Sequence, residues 1–384
     1  MVTLEYAESL LQSAPKEIIV ISDEIFQLLA VTLGHSMPST VVFSGTHYAE
    51  LFRCSGYTVW TGVEAEPSTS TVEKMVEFLK ERRPENVVAI GGGSVLDAAK
   101  AAYLSYQTGW ELRDLFGVNR WSNANIGKRL KRMVAIPTTS GTGSEATPYS
   151  NIVDHTLGVK KLIVEEQTVP AIAFCPPMLQ RSMPASLTRA TGCDALAHLI
   201  EGFLNVKADR NHPDANTSAK TGINLVKDHL GKAISTPDDD TARRAMLIAS
   251  TLGGMTIRFK STGLPHLCSF SWYGRIAHGE AVALLLPEAW KYYLANPLVS
   301  ERTMELSEIF PGSTPQEVIE SYQAFIASLG LPQKLSNWSG ITPELLEQTA
   351  RSGAENKMKL ENAPQPVPVE ESFGILFDIL KKSY

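Results

Sequence analysis

Short apolar runs alternate with amphipathic helical patterns through the first half of the chain, and no other feature constrains the fold as tightly. Residues 17–22, 40–44, 57–62, 86–90 and 132–136 read as strands. Between the third and fourth, residues 70–83 carry Val72, Met75, Val76 and Leu79 at helical spacing. Strand, helix, strand in this rhythm calls for crossovers between parallel strands. The first half is therefore expected to be α/β, a parallel sheet with helices on both faces. Residues 151–153 and 161–164 read as a hairpin at its edge. Past Pro176, Pro177 and Pro184 the strand signals stop, and residues 187–204, 215–230, 240–259 and 280–294 all keep a helical period. An α/β domain over residues 1–180 and an all-α domain over 181–384 follow from this change of texture, and 384 residues suffice for two cores. Residues 361–368 read as a proline-stiffened loop.

Composition excludes several classes of partner. Net charge is −6 and there is no extended basic run, which argues against nucleic acid. No apolar stretch is long enough to cross a bilayer, and no cationic segment precedes an apolar one at the amino end. Cys54, Cys175, Cys193 and Cys268 show neither metal-binding nor disulfide spacing, so reduced buried thiols and a cytoplasmic location are expected. Cys193 and Cys268 lie close to the ligands proposed below, which raises oxidation sensitivity as a second reading.

Two polar turns follow buried strands. Residues 86–90 run into Gly91-Gly92-Gly93-Ser94 and then a helical pattern with Asp97 and Lys100. Glycines between a strand and a helix leave backbone N–H groups facing a concavity, which makes an anion site suited to a cofactor pyrophosphate. A tight structural turn is the alternative. The second turn is Thr138-Thr139-Ser140-Gly141-Thr142-Gly143-Ser144-Glu145. Helix capping uses one hydroxyl, not five, so ribose or phosphate oxygens are the further candidates. Turns at the carboxyl ends of neighbouring strands are where open α/β sheets bind ligands.

In the second half, Asp194 and His198 stand four residues apart, on one face of a helix. His266 and His278 follow. One carboxylate and three imidazoles suit Fe(II) or Zn(II), and an open position facing a cofactor would make the chain a metal-dependent redox enzyme. Glu201 reads either as an outer acceptor for a ligand N–H or as a helix-surface charge. His35, His47, His155, His212 and His229 have no partner pattern and read as surface or loop residues.

On these motifs, together with His278-Gly279-Glu280-Ala281, the chain resembles the iron-dependent (group III) alcohol dehydrogenase family, with the motifs in family order over roughly residues 40–295. The resemblance implies an α/β nucleotide-binding domain and an all-α metal-binding domain of the dehydroquinate synthase-like type, with a cleft between them. It implies that Gly92, Gly93 and Ser94 hold the pyrophosphate, with Asp97 behind. Thr138, Thr139, Ser140 and Thr142 would line the rest of the NAD(P)(H) path. Asn151, Val153, Lys160 or Lys161, and Leu179 match further cofactor-lining positions. Asp194, His198, His266 and His278 match the metal ligands, here the catalytic set. Hydride transfer between nicotinamide and a small aldehyde–alcohol pair is the implied reaction, in a homodimer or larger assembly.

Three departures bear on that reading. The interval from His266 to His278 is 12 residues, shorter than is usual in the family, so the metal loop must be tight. Many members carry a histidine four residues after the third ligand; here that residue is Phe270, which cannot relay a proton. The strand over residues 40–44 ends in Ser44-Gly45-Thr46 without a carboxylate to repel a 2′-phosphate, and the reading leans to NADP. Arg258, Lys260 and Arg275 bracket the later histidines. They form either a solvated face or an anion pocket, with Arg275 the candidate for an anionic aldehyde such as phosphonoacetaldehyde. Two other classes compete: a metal- and NAD-dependent sugar-phosphate cyclase or lyase, and a nucleotide sensor with a structural metal.

Overall fold

The computed structural model of the protein describes residues 2–14, 17–156, 158–207 and 213–384. His212 and the side chain of His35 fall outside the described residues. The chain divides into two compact units, Leu11–Ser182 and a second made of Met183–Tyr384 together with Met1–Leu10.

Nine strands are described in the first unit: β1 (Ile18–Ile21), β2 (Thr40–Ser44), β3 (Thr58–Trp60), β4 (Asn86–Gly91), β5 (Gly117–Val118), β6 (Val134–Pro137), β7 (Tyr149–Asp154), β8 (Val159–Val164) and β9 (Ile172–Cys175). Six of them form one sheet in the order β1-β9-β6-β4-β2-β3, every pairing parallel. Side-chain alternation explains why both faces are covered. Val41, Phe43, Val87 and Ala89 pack with Val72, Met75 and Leu79 of helix Thr69–Arg82 and with Leu96 and Ala99 of helix Gly93–Thr108. Their neighbours Val42, Val88 and Ile90 point the other way, onto Ile25, Leu29 and Phe52. A fully buried Val or Ile is worth about 1.5–3 kcal/mol, so these central strands anchor the unit.

The expected hairpin exists but does not extend the main sheet. β7 and β8 pair antiparallel and join β5 in a separate three-stranded sheet. Ile152 and Ile163 bury themselves in the same core as helix Gly93–Thr108, which draws the hairpin onto that helix and away from the sheet edge. β9 is a strand that the sequence pattern does not isolate, because its four residues lie between prolines.

The second unit is helical. Helix Ala185–Leu204 is buried almost continuously from Gly192 onward and packs against helices Pro213–Ser235, Asp240–Lys260 and His278–Tyr293. Chain position suggests that the first ten residues belong with the sheet, yet they cluster with the helices. The Glu8 carboxylate grips the Arg244 guanidinium with two hydrogen bonds, Nη2 donating at 2.8 Å.

Candidate functional site

Asp194 and His198 lie mid-helix, where the four-residue spacing aligns their side chains; His266 sits in helix Leu264–Ser269, and His278 opens helix His278–Tyr293. The Nε2 atoms of His198, His266 and His278 lie 3.7, 3.5 and 3.6 Å from Asp194 Oδ1. Those gaps are too long for good hydrogen bonds. They match the separation of about 3.4 Å between ligands on a tetrahedral centre with bonds near 2.1 Å. Donor atoms of Asp194, His266 and His278 all fall within 4.8 Å of one another. Asp194 Oδ1 and His266 Nε2 are buried without a hydrogen-bond partner. Two such orphans facing each other fit a divalent cation. His278 is the open member, its side chain 26% exposed against 6% for Asp194 and 4% for His266.

The group behind the His266 imidazole sets which of its nitrogens faces inward. Glu201 is fully buried, and its Oε1 lies 2.6 Å from His266 Nδ1 while its other oxygen accepts the Gly263 N–H. It is an outer acceptor, not a surface charge. With Nδ1–H donating to the carboxylate, Nε2 is the nitrogen turned toward Asp194. Burial lowers the His266 pKa, but Glu201 and Asp194 outweigh it and push the ring up to about 9. Burial likewise raises the Asp194 carboxyl, but the three imidazoles overcome this and hold it well below the usual carboxylate range. Both shifts show a site whose field favours a positive charge at its centre.

Close helix packing fixes the distance from His278 to Asp194. A Cβ on Gly279 would stand 1.8 Å from the Ala190 carbonyl oxygen and 2.9 Å from Asp194 Cβ. Only glycine permits this approach. Arg189 Nε donates to the largely buried Glu280 carboxylate at 2.9 Å, tying together the same two helices.

In the sheet unit, β4 delivers Gly91, Gly92 is the N-cap of helix Gly93–Thr108, and β6 delivers the hydroxyl-rich turn. The two turns touch: a Cβ on Gly93 would lie 2.5 Å from Thr142 Cγ2, and one on Gly92 3.2 Å from Thr139 Cγ2. Asp97 is consumed internally. It accepts from Ser144 Oγ at 2.5 Å and from the Asn151 N–H at 2.9 Å, and it pairs with Lys100 at 3.5 Å. Lys100 also donates to the Ser144 and Thr147 carbonyls at 3.0 and 3.1 Å. Ser140 donates to Gln180 Oε1. Three of the five hydroxyls thus have protein partners, since Thr142 Oγ1 accepts the Ser144 N–H at 3.2 Å.

The model of the iron-containing alcohol dehydrogenase family matches residues 30–177, and that of the family's C-terminal region matches residues 188–380. The chain belongs to the iron-containing alcohol dehydrogenase family. It is 30% identical over 330 residues to alcohol dehydrogenase 4 of Saccharomyces cerevisiae, covering 85% of this chain and 83% of that one. It is 32% identical over 331 residues to long-chain-alcohol dehydrogenase 1 of Geobacillus thermodenitrificans, covering 82% and 80%. Among solved structures, an iron-containing alcohol dehydrogenase from Thermococcus thioreducens superposes with a TM-score of 0.83 at 25% identity, covering 95% of this chain and 98% of that one. The family expectation from the motifs holds, and so does the fold class. This is an oxidoreductase family, and it implies a metal and NAD(H). Among the described residues no helix is long and apolar enough to cross a membrane.

Other nominated residues of this family member have definite places. Lys160 pairs with Glu66 at 3.1 Å and Lys161 with Asp154 at 2.9 Å. Val153 is fully buried, and the Leu179 carbonyl accepts the Tyr48 hydroxyl at 2.7 Å. Phe270 lies face-on to the His278 ring, centroids 6.0 Å apart. Arg275 is exposed, and its Nη1 donates to the Gly340 carbonyl at 3.1 Å; Lys260 is fully buried and donates to Asn216 at 2.6 Å. His47 and His155 are exposed, as expected, while His229 is half-buried on its helix. Cys175, Cys193 and Cys268 are buried, but Cys54 is exposed, against the expectation that all four are covered. Burial pushes the Cys193 and Cys268 thiols up to about 12, which leaves almost no thiolate to oxidise.

Sequence reasoning passes over Gln180 and Ser269. Gln180 is fully buried with its Nε2 lacking a partner, and Ser269 bonds to both later histidines. Neither has a periodic or spacing signal.

Proposed function

We propose that this chain interconverts a small neutral aldehyde and its alcohol, using a nicotinamide cofactor and a divalent metal held by Asp194, His198, His266 and His278. The observation that carries the reading is the convergence of three imidazole Nε2 atoms on one partnerless carboxylate oxygen. A metal bound there supplies a Lewis acid for the carbonyl oxygen, and the nicotinamide supplies hydride. One carboxylate with three neutral imidazoles offsets a single unit of the metal's charge, so the ligand set preserves Lewis acidity. All four donors are nitrogen or oxygen, which suits Fe(II) and Zn(II) alike.

In the sheet unit, the N–H groups at the start of helix Gly93–Thr108, with Gly92 and Ser94, bind the pyrophosphate. Thr138, Thr139, Ser140 and Thr142 orient the remainder, and Asn151, Val153, Lys160 or Lys161, and Leu179 line it. Asp97 and Lys100 act one step back by fixing both turns. β2 ends in Ser44, whose hydroxyl donates to the Gly45 carbonyl at 2.7 Å, and no carboxylate follows; this supports NADP over NAD. Reduction consumes one NADPH and one proton per aldehyde. Phe270 has no proton to give, so solvent or a cofactor hydroxyl delivers it.

A neutral substrate is favoured because two of the three cations nominated for an anion pocket, Arg275 and Lys260, are engaged by Gly340 and Asn216. The name of the Geobacillus relative supports an alkyl alcohol in the same sense. The test is cofactor oxidation by the protein loaded with Fe(II) or Zn(II), using NADH and NADPH against neutral and anionic aldehydes. Turnover of neutral aldehydes with NADPH is expected. Faster turnover of phosphonoacetaldehyde would reverse the substrate reading. Metal-dependent conversion of a sugar phosphate without net cofactor consumption would replace it with a cyclase.

A further inference from the structure

We infer that Ser269 is a positioning residue that clasps the short metal loop and sets the tautomer of His278, the most exposed of the proposed ligands. The inference rests on the metal reading above. Ser269 is the last residue of helix Leu264–Ser269 and is largely buried. Its Oγ lies 2.9 Å from the His266 carbonyl oxygen and 3.1 Å from His278 Nδ1. A carbonyl oxygen can only accept, so the single hydroxyl proton goes to His266. The Ser269 oxygen must then accept from His278, which places the imidazole proton on Nδ1. Nε2, 3.6 Å from Asp194 Oδ1, is left with its lone pair directed at the cluster.

The same hydroxyl thus joins the main chain at one ligand to the ring of another, across a loop of 12 residues. Phe270 completes the restraint. Its ring is tilted only 14° from the His278 plane at 6.0 Å, so it fixes the plane while Ser269 fixes rotation within it. The contrast with His266 is chemical: a carboxylate backs that ring, at 2.6 Å, but a neutral hydroxyl backs His278. His278 is accordingly held more weakly than His266 and depends more on its partner.

The experiment titrates metal-free protein with Zn(II) in competition with a chromogenic chelator, for wild type, Ser269→Ala, Ser269→Cys and Ser269→Thr. Urea unfolding with and without Zn(II) accompanies each titration. Loss of the hydroxyl is expected to weaken Zn(II) binding about tenfold in the Ala and Cys variants, with Thr restoring it. The zinc-induced gain in urea midpoint should shrink in the same two variants. A purely structural serine would lower both midpoints equally and leave the gain and the zinc affinity unchanged; that result overturns the inference while the metal reading stands. Wild type that fails to bind Zn(II) or Fe(II) removes the metal reading, and this inference with it.

Discussion

In the helical unit, Asp194 Oδ1 and His266 Nε2 are buried and face each other without partners. In the sheet unit, Asp97, Lys100, Ser140 and Ser144 are bonded among themselves and to neighbouring carbonyls. The first arrangement carries an unmet cost of about 1–3 kcal/mol for each orphaned atom, which a bound cation would relieve. In the second, these four side chains are satisfied by one another and by their neighbours and serve as scaffold for the two turns. The proposed metal site and the proposed anion-binding turn would therefore be opposite uses of buried polarity. One keeps its donors open and the other consumes them.

The largest expected effect tests whether the two regions are separable. His278→Ala should lose metal and reduce kcat roughly a thousandfold, the several kcal/mol that a Lewis acid supplies. NADPH binding, followed by fluorescence titration, should be unchanged. Loss of cofactor affinity in step with metal content would show that the regions act as one.

Next comes the scaffold side. Lys100→Met leaves Asp97 buried without its cation and should destabilise the sheet unit by about 3–5 kcal/mol in urea unfolding. The sign of the pH dependence follows from Lys100 itself. Burial lowers its pKa, with Asp97 opposing, so the folded state binds fewer protons than the unfolded state between the lowered value and the ordinary lysine value. Stability from this group therefore rises with pH through that window, falls as pH is lowered through it, and is flat below it. Wild type should show the rise, and the methionine variant should lack it.

A smaller effect returns to the metal side. Gly279→Ala forces a methyl into the Ala190 carbonyl and should cost about 2–3 kcal/mol as the helices part. Metal content should fall with it, because His278 moves away from Asp194. A stable variant with full metal content would show that the glycine does not set the ligand distance.

Legibility in the sequence followed the same division. Asp194 and His198 stand out because helical spacing alone brings them together, and the central strands stand out because both faces of the sheet are apolar. β9 is obscured because prolines flank a run of four residues, and the edge hairpin is misplaced because a helix face attracts Ile152 and Ile163 more strongly than the sheet edge does. Glu201 is visible as a residue but not as a role, since only the fold reveals whether it meets His266 or water. Arg275 shows the same difficulty: the sequence shows a cation in the loop, but its direction, toward Gly340, depends on packing from distant residues. The hydroxyl-rich turn is conspicuous for its composition, yet three of its five hydroxyls turn out to have protein partners.

Gly93→Ala probes the sheet side most finely. The added methyl would meet Thr142 Cγ2 at 2.5 Å and Oγ1 at 2.9 Å, so the threonine must rotate or the two turns must separate slightly. A side chain yields more cheaply than main chain, so global stability should change little. The displaced turn should weaken NADPH binding about tenfold, or about 1.4 kcal/mol, measured by fluorescence titration. Metal content should be untouched, and kcat at saturating cofactor nearly so. This pattern is the mirror image of His278→Ala and completes a double dissociation between the regions. Unchanged NADPH affinity would mean that the pyrophosphate does not rest on the first turn of this helix, and the tight contact between the two turns would then be structural alone.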